Sequence, residues 1–192
     1  MEESSMEKSN FSINVKFLRE SKKMTQQELA NRLNYSRDGI AKWEKQGRRP
    51  DYETLLELAS LFNIHIEEIL NINLPETISN ISSCILSNYD LGYDEPVAEC
   101  DYLKQHYIRE YEKICETAVK DNDKHLSKYC VNGYIKNGGK NLEYIKDVYY
   151  KICSLEENED DKIDIYVKIH AIENHIEDPW FYTWEDILDS LI

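Results

Sequence analysis

Glycine and proline, the residues that most often interrupt helices, are scarce in this sequence. There are 6 glycines and 4 prolines among 192 residues, while 41% of the residues are hydrophobic. A chain with this much apolar material and so few helix breakers is predicted to form long helices rather than strands joined by tight turns. We therefore expect an all-α protein.

Long apolar runs are also missing. No stretch approaches the roughly 18 to 20 consecutive apolar residues that a membrane-spanning helix needs. The first ten residues, MEESSMEKSN, lack the apolar core of a signal peptide. The expectation is a cytoplasmic protein without a membrane partner.

Cysteine is present, but its pattern matches neither a disulfide framework nor a zinc site. The five cysteines are odd in number and include no CxxC pair, and four of them recur every 15 or 16 residues from Cys84 to Cys130. None is accompanied by a second ligand at the spacing of a metal site, so they are predicted to be small buried residues. His170 and His175 are five residues apart, which does not match one helix face, and no metal site is predicted.

Sequence patterns of catalysis are absent as well. We find no nucleophile paired with a base, no paired-carboxylate motif and no glycine-rich loop that would hold a cofactor. The expectation is a protein that is not an enzyme and carries no cofactor.

Charge is unevenly divided along the chain. The whole sequence has 23 Lys and Arg against 37 Asp and Glu, a net charge of -14, yet residues 11–50 have ten basic against four acidic residues. Residues 75–192 have twelve basic against twenty-five acidic residues. Phosphate contacts require cations and like charges repel, so only the N-terminal part is suited to face a nucleic acid.

The basic part contains two helix signals separated by a turn. Thr25 is suited to cap a helix, with Glu28 three residues later completing a capping box, and this helix is predicted to run to Leu33. Asn34 tolerates the left-handed conformation that ends a helix, and Ser36 is suited to cap the next one. The sequence thus predicts a helix, a three-residue turn and a second helix.

Further helix signals surround this pair. In chain order the segments are INVKFLRESKKM, TQQELANRL, RDGIAKWE, DYETLLELASLF and NIHIEEIL, with the turn NYS after the second and a basic loop ending at Pro50 after the third. In this order, residues 13–70 resemble the λ-repressor/Cro-like helix-turn-helix family, also called the xenobiotic-response-element family. The resemblance implies a five-helix DNA-binding domain over residues 11–72, with double-stranded DNA as the partner.

The resemblance also implies which residues touch DNA. Base contacts are implied for three residues of the recognition helix, Arg37, Asp38 and Lys42. An arginine fork matches guanine O6 and N7, and a carboxylate accepts from the amino group of cytosine. Phosphate contacts, which position the protein rather than specify a sequence, are implied for Gln26, Lys45, Arg48 and Arg49. Gly39, without a side chain, would let the helix sit close to the DNA.

The remaining sequence is predicted to be helical and acidic. Residues 73–95 are expected to be a linker with one short helix, because Pro75 and Pro96 flank a short apolar stretch. Over residues 96–192 apolar residues recur at helical spacing, and a last helix is predicted from about Thr183. We expect a helical bundle or a short stack of helical hairpins that serves dimerisation or effector sensing.

These features together predict a sequence-specific DNA-binding transcriptional regulator, a repressor that binds a two-fold operator as a homodimer. One recognition helix reads only a few base pairs, and two such helices one turn apart are the usual solution in this fold. An unknown peptide, small molecule or protein would be the effector of the C-terminal region. The alternative is a protein-interaction module, such as an antitoxin or an adaptor that binds an anti-repressor, acting mainly through the C-terminal helices.

Overall fold

The computed structural model describes residues 9–98 and 100–174. Over these residues the chain forms eleven α-helices and no β-strand, so the all-α fold predicted from the sequence is confirmed. The last predicted helix, from about Thr183, lies outside the described residues. None of the described helices is long and apolar enough to cross a membrane.

The helices belong to two compact units. Of the described residues, the first unit contains 9–81, Ala98 and 100–106, and the second contains Ser82–Val97 and 107–174. The first seven helices are α1 (Asn10–Ser21), α2 (Gln26–Arg32), α3 (Arg37–Gln46), α4 (Tyr52–Phe62), α5 (Ile66–Asn71), α6 (Leu74–Ser79) and α7 (Ile81–Asp90). The next four are α8 (Asp101–Lys120), α9 (Lys124–Lys136), α10 (Leu142–Leu155) and α11 (Glu159–Glu173).

Local polar residues determine where α2 begins and ends and where α3 begins. The hydroxyl of Thr25 accepts from the N–H of Glu28 at 3.2 Å, and the Glu28 carboxylate accepts from the N–H of Thr25 at 2.6 Å, which is the predicted capping box. Asn34 is left-handed, with a φ of 46°. Ser36 then caps α3 by accepting from a backbone N–H at 3.0 Å. The predicted helix, turn and helix are therefore confirmed.

The hydrophobic core of the first unit is packed around Trp43 of α3. Its side chain is 1% exposed, and its indole ring lies 6.2 Å from the fully buried ring of Phe11 on α1. Leu29 of α2, Ile40 of α3 and Leu58 of α4 are also fully buried. Burying one such side chain contributes roughly 1.5–3 kcal/mol, so these contacts hold α3 against its neighbours.

A buried asparagine connects α1 to the segment between α5 and α6. The amide nitrogen of Asn14 donates to the carbonyls of Ile69 at 2.9 Å and Ile72 at 2.6 Å, and its oxygen accepts from the N–H of Leu74 at 3.0 Å. Helix α6 packs on α1 as a result. The stretch expected to be a linker with one short helix differs from that expectation, because it contains two helices, α6 and α7.

The second unit is built from successive helices joined by short turns. Helix α9 packs on α10, and α10 packs on α11. Its interior is rich in tyrosine: Tyr111 of α8 and Tyr149 of α10 are fully buried, and Tyr134 of α9 is 4% exposed. Tyrosine buries a large ring while its hydroxyl needs a polar partner, and Tyr111 finds one in the carbonyl of Pro96 at 3.1 Å.

The cysteines are free thiols, and four of the five are buried, whereas Cys84 is half-buried. Burial raises the pKa of Cys115 to about 11, and it raises the pKa of Cys100 to about 11 as well. Such thiols stay protonated near neutral pH and react slowly. Cys100 lies outside a helix, directly before the first residue of α8.

Candidate nucleic-acid interface

The recognition-helix residues implied by the sequence lie on the outer face of α3. Arg37 and Asp38 occupy its first two positions, with side chains 60% and 85% exposed. Arg37 Nη1 lies 3.9 Å from Asp38 Oδ1, a loose surface pair that holds neither side chain in one orientation. Lys42 is exposed one turn later. All three side chains are therefore accessible to a ligand on this face.

A concavity of about 230 Å³ joins α3 to the loop that follows it. The charged residues in its lining are Asp38, Lys42, Arg48 and Arg49, and the rings of Tyr35 and Trp43 contribute the rest of the wall along with small groups. Three cations against one carboxylate make this surface attractive to an anion. Arg37, Lys45 and Gln26 do not line it.

The path of the loop depends on a glycine. Helix α3 runs to Gln46, two residues beyond the segment RDGIAKWE, and ends at Gly47, which has a φ of 68°. A Cβ atom at this position would also lie 2.8 Å from the hydroxyl oxygen of Ser9. Gly47 is thus suited to the position in two ways, and it directs Arg48 and Arg49 into the exposed loop beside α3.

A buried ion pair holds α3 against α1. Glu44 is 6% exposed and Arg19 is 8% exposed. The Glu44 carboxylate accepts from Arg19 Nε at 2.6 Å and from Arg19 Nη2 at 3.1 Å. These hydrogen bonds raise the pKa of Arg19 above its ordinary value, so the guanidinium stays charged. The pair was not predicted, although Glu44 follows Ile40 by four residues and therefore lies on the buried face of α3, which is the signal that would have indicated it.

The same carboxylate also positions Gln26. Gln26 Nε2 donates to Glu44 Oε2 at 2.9 Å, and its side chain is half-buried at the start of α2. An amide nitrogen has two hydrogens, so one remains available for a further acceptor. Glu44 thus ties α1, α2 and α3 together through a single carboxylate.

Gly39 faces a tyrosine. A Cβ atom built at Gly39 would lie 2.2 Å from Tyr35 Cε1 and 2.6 Å from Tyr35 Cδ1. The Tyr35 ring lies with its centroid 4.6 Å from the ring of Trp43. A glycine at this position is therefore favoured by packing within the protein, in addition to any role in approaching DNA. No local pattern in the sequence indicates this contact for Tyr35, which lies inside the turn NYS.

Replacing Gly39 by Ala is expected to have opposite effects in two backgrounds. With Tyr35 present, the added methyl group displaces the ring from Trp43 and lowers the free energy of unfolding by about 1 kcal/mol. In Tyr35→Ala the closest obstacle is gone and the next neighbour is the Ser36 hydroxyl at 3.0 Å, so the higher helix propensity of alanine raises stability by up to about 1 kcal/mol. Urea denaturation of the four proteins of this double-mutant cycle measures both effects. An equal effect in the two backgrounds would contradict the packing role.

Comparisons with known proteins agree with this geometry. Residues 15–69 match a family model described as helix-turn-helix, and this range contains α2, α3 and the turn between them. Residues 15–69 belong to this helix-turn-helix family. The resemblance predicted for residues 13–70 is confirmed.

Two curated relatives share the helix-turn-helix domain. The uncharacterized HTH-type transcriptional regulator YqaE of Bacillus subtilis (strain 168) is 35% identical over 60 residues, which is 31% of this chain and 52% of that protein. The HTH-type transcriptional activator BcrR of Enterococcus faecalis is 34% identical over 86 residues, which is 43% of this chain and 42% of that protein. The chain thus spans about half the length of the curated relatives it matches. No solved structure matches it.

Proposed function

We propose that this protein is a DNA-binding transcriptional regulator that reads double-stranded DNA with α3. The observation that carries the proposal is the exposed polar face of α3 beside a cationic concavity, inside the segment that belongs to the helix-turn-helix family. The names of both relatives, each an HTH-type transcriptional regulator or activator, support the same function.

The recognition helix would divide its contacts by position. Arg37, at the exposed start of α3, is the proposed reader of guanine, since its planar fork pairs with O6 and N7 together. Asp38 would accept from the amino group of cytosine. Lys42, which also lines the concavity, would reach a base or a phosphate.

Residues around α3 would hold the DNA backbone. Arg48 and Arg49 line the concavity and Lys45 is exposed on the last turn of α3, so these three cations are the proposed phosphate contacts on one side. Gln26 is proposed to contact a phosphate with the amide hydrogen that Glu44 leaves available. Such contacts fix the register of the protein on the duplex without reading sequence.

A two-fold operator bound by a homodimer is part of the proposal. One α3 spans only a few base pairs, and two copies about 34 Å apart along the duplex double the sequence that is read. Repression is the proposed direction of regulation, because occupying an operator requires DNA contacts alone. Selection of bound sequences from random DNA tests the whole proposal. A palindromic consensus is expected, and the absence of any enriched sequence would contradict it.

Arg37→Ala and Arg48→Ala are expected to change DNA binding in different ways. Arg37→Ala weakens binding to the selected site by about 1–3 kcal/mol and relaxes the preference at one base pair of each half-site. Arg48→Ala weakens binding to all sequences alike and makes the negative slope of log affinity against log salt shallower by about one. Titration of fluorescent duplexes at several salt concentrations measures these quantities. An unchanged consensus for Arg37→Ala would show that Arg37 does not read a base.

A further inference from the structure

Tyr35 is an exposed aromatic residue just before α3, and none of the DNA contacts proposed above uses it. The residue is 38% exposed, whereas Trp43, whose ring centroid lies 4.6 Å from that of Tyr35, is 1% exposed. The backbone N–H of Tyr35 donates to the carbonyl of Ala30 at 2.8 Å. Both contacts hold the ring at one place on the surface of the first unit.

Gly39 of α3 lies against the edge of this ring. A Cβ atom at Gly39 would collide with Cδ1 and Cε1 of Tyr35, so the ring occupies the space that a side chain at position 39 would need. A side chain that is already confined loses little conformational entropy when it binds a ligand. Tyr35 is therefore preorganised for a contact beside the outer face of α3.

The hydroxyl group of Tyr35 forms no hydrogen bond with the residues that the structure describes. In the second unit, by contrast, the hydroxyl group of Tyr111 donates to the carbonyl of Pro96 at 3.1 Å. Packing of the Tyr35 ring needs no hydroxyl group, because phenylalanine has the same ring. The hydroxyl group is thus available to a ligand.

Tyr35 also lines the cationic concavity beside α3. Lys42, Arg48 and Arg49 line the same concavity, to which Asp38 adds a carboxylate. Phosphate oxygens accept hydrogen bonds from tyrosine hydroxyl groups as well as from lysine and arginine. A phosphate that the three cations attract would therefore meet a neutral donor in the same concavity.

We propose that the hydroxyl group of Tyr35 donates a hydrogen bond to a DNA phosphate at this concavity. The inference rests on the proposed function, because it requires α3 to lie against the duplex. A neutral donor releases no counterion, so this contact adds affinity without adding salt dependence. It reads no base, since every nucleotide carries the same phosphate.

Tyr35→Phe keeps the ring and removes the hydroxyl group alone. In titrations of fluorescent duplexes, this variant should weaken binding to the selected site and to a scrambled duplex by the same factor, about threefold to tenfold, as expected for one lost hydrogen bond. The slope of log affinity against log salt should not change, unlike in Arg48→Ala. The midpoint of urea denaturation should not change either, which distinguishes a lost DNA contact from a structural defect.

Single methylphosphonate substitutions along the selected site locate the contact, because each replaces one phosphate oxygen by a methyl group. At one position of each half-site, the parent protein should lose several-fold more affinity than Tyr35→Phe does. At the other positions the two proteins should lose affinity equally. Equal losses at every position would overturn the proposed contact.

Tyr52→Phe is the matched control, since Tyr52 is 67% exposed in the same unit and does not line the concavity. Its affinity for both duplexes should stay within about twofold of the parent protein. Parent-like affinity in Tyr35→Phe would overturn the contact, and so would an altered consensus, which would show that Tyr35 reads a base. A parent protein that binds no duplex would overturn the proposed function itself, so the two failures are distinguishable.

Discussion

Replacing Glu44 by Gln is expected to lower the free energy of unfolding by about 3–5 kcal/mol, because the substitution leaves the buried guanidinium of Arg19 without its counter-charge. The glutamine keeps the shape of the side chain but turns one acceptor into a donor. That donor would face Arg19 or the amide of Gln26, which both donate to Glu44. Urea denaturation followed by circular dichroism measures the loss.

Glu20→Gln is the matched control. Its carboxylate also contacts Arg19, at 3.3 Å, but its side chain is 54% exposed. Exposed ion pairs contribute about 0–1 kcal/mol, so this variant should be nearly as stable as the parent protein. A loss in Glu44→Gln no larger than in Glu20→Gln would contradict the buried pair. Replacing Arg19 and Glu44 together by apolar residues should recover much of the stability, since no charge is then left buried alone.

Gly133→Ala is expected to destabilise the second unit by about 3 kcal/mol, because it overpacks a rigid part of the core. A Cβ atom at Gly133 would lie 2.2 Å from Cζ and 2.3 Å from Cε1 of Tyr111. The Tyr111 ring is fully buried and its hydroxyl is bound to Pro96, so it cannot swing into solvent. Alanine improves helix propensity by only about 1 kcal/mol, which does not offset the clash.

Tyr111→Leu provides the rescue that separates this clash from a general effect of the substitution. Leucine is shorter, so Gly133→Ala should cost much less in this background, and thermal or urea denaturation of the four proteins gives the coupling. Independent, additive losses would show that the two residues do not share the space. The effect of Gly133→Ala is measured separately with Tyr111 and with Leu at position 111, so the coupling energy is obtained whichever result is found.

Much of the first unit could be predicted from short sequence patterns. Thr25, Glu28, Asn34 and Ser36 act on backbone groups within three residues of themselves, so their residue types are sufficient to place the ends of α2 and α3. The charged residues that face outward on α3 follow from the same local periodicity. The DNA contacts assigned to them stay predictions until binding is measured.

Contacts between distant parts of the chain could not be predicted in this way. Asn14 acts on backbone atoms 55 to 60 residues away, and nothing in the sequence around it indicates a buried amide. The spacing of apolar residues predicts which face of a helix is buried. It does not predict which polar residue is buried on that face. For the same reason, the packing of α6 on α1 and the contact between Tyr35 and Gly39 had no local signal.

The two sides of the contact made by the Asn14 amide should also differ in how many substitutions they tolerate. Its partners are main-chain atoms of the segment from Ile69 to Leu74, where every residue type supplies a carbonyl and every type except proline supplies the N–H of position 74. The segment can therefore accumulate side-chain changes without losing these hydrogen bonds, provided that its core residues stay apolar. Position 14 has no such freedom, because only an amide of this length both donates and accepts in that place. Among homologous chains, the residues from Ile69 to Leu74 should therefore vary while position 14 stays asparagine. The two partners of the contact should not covary.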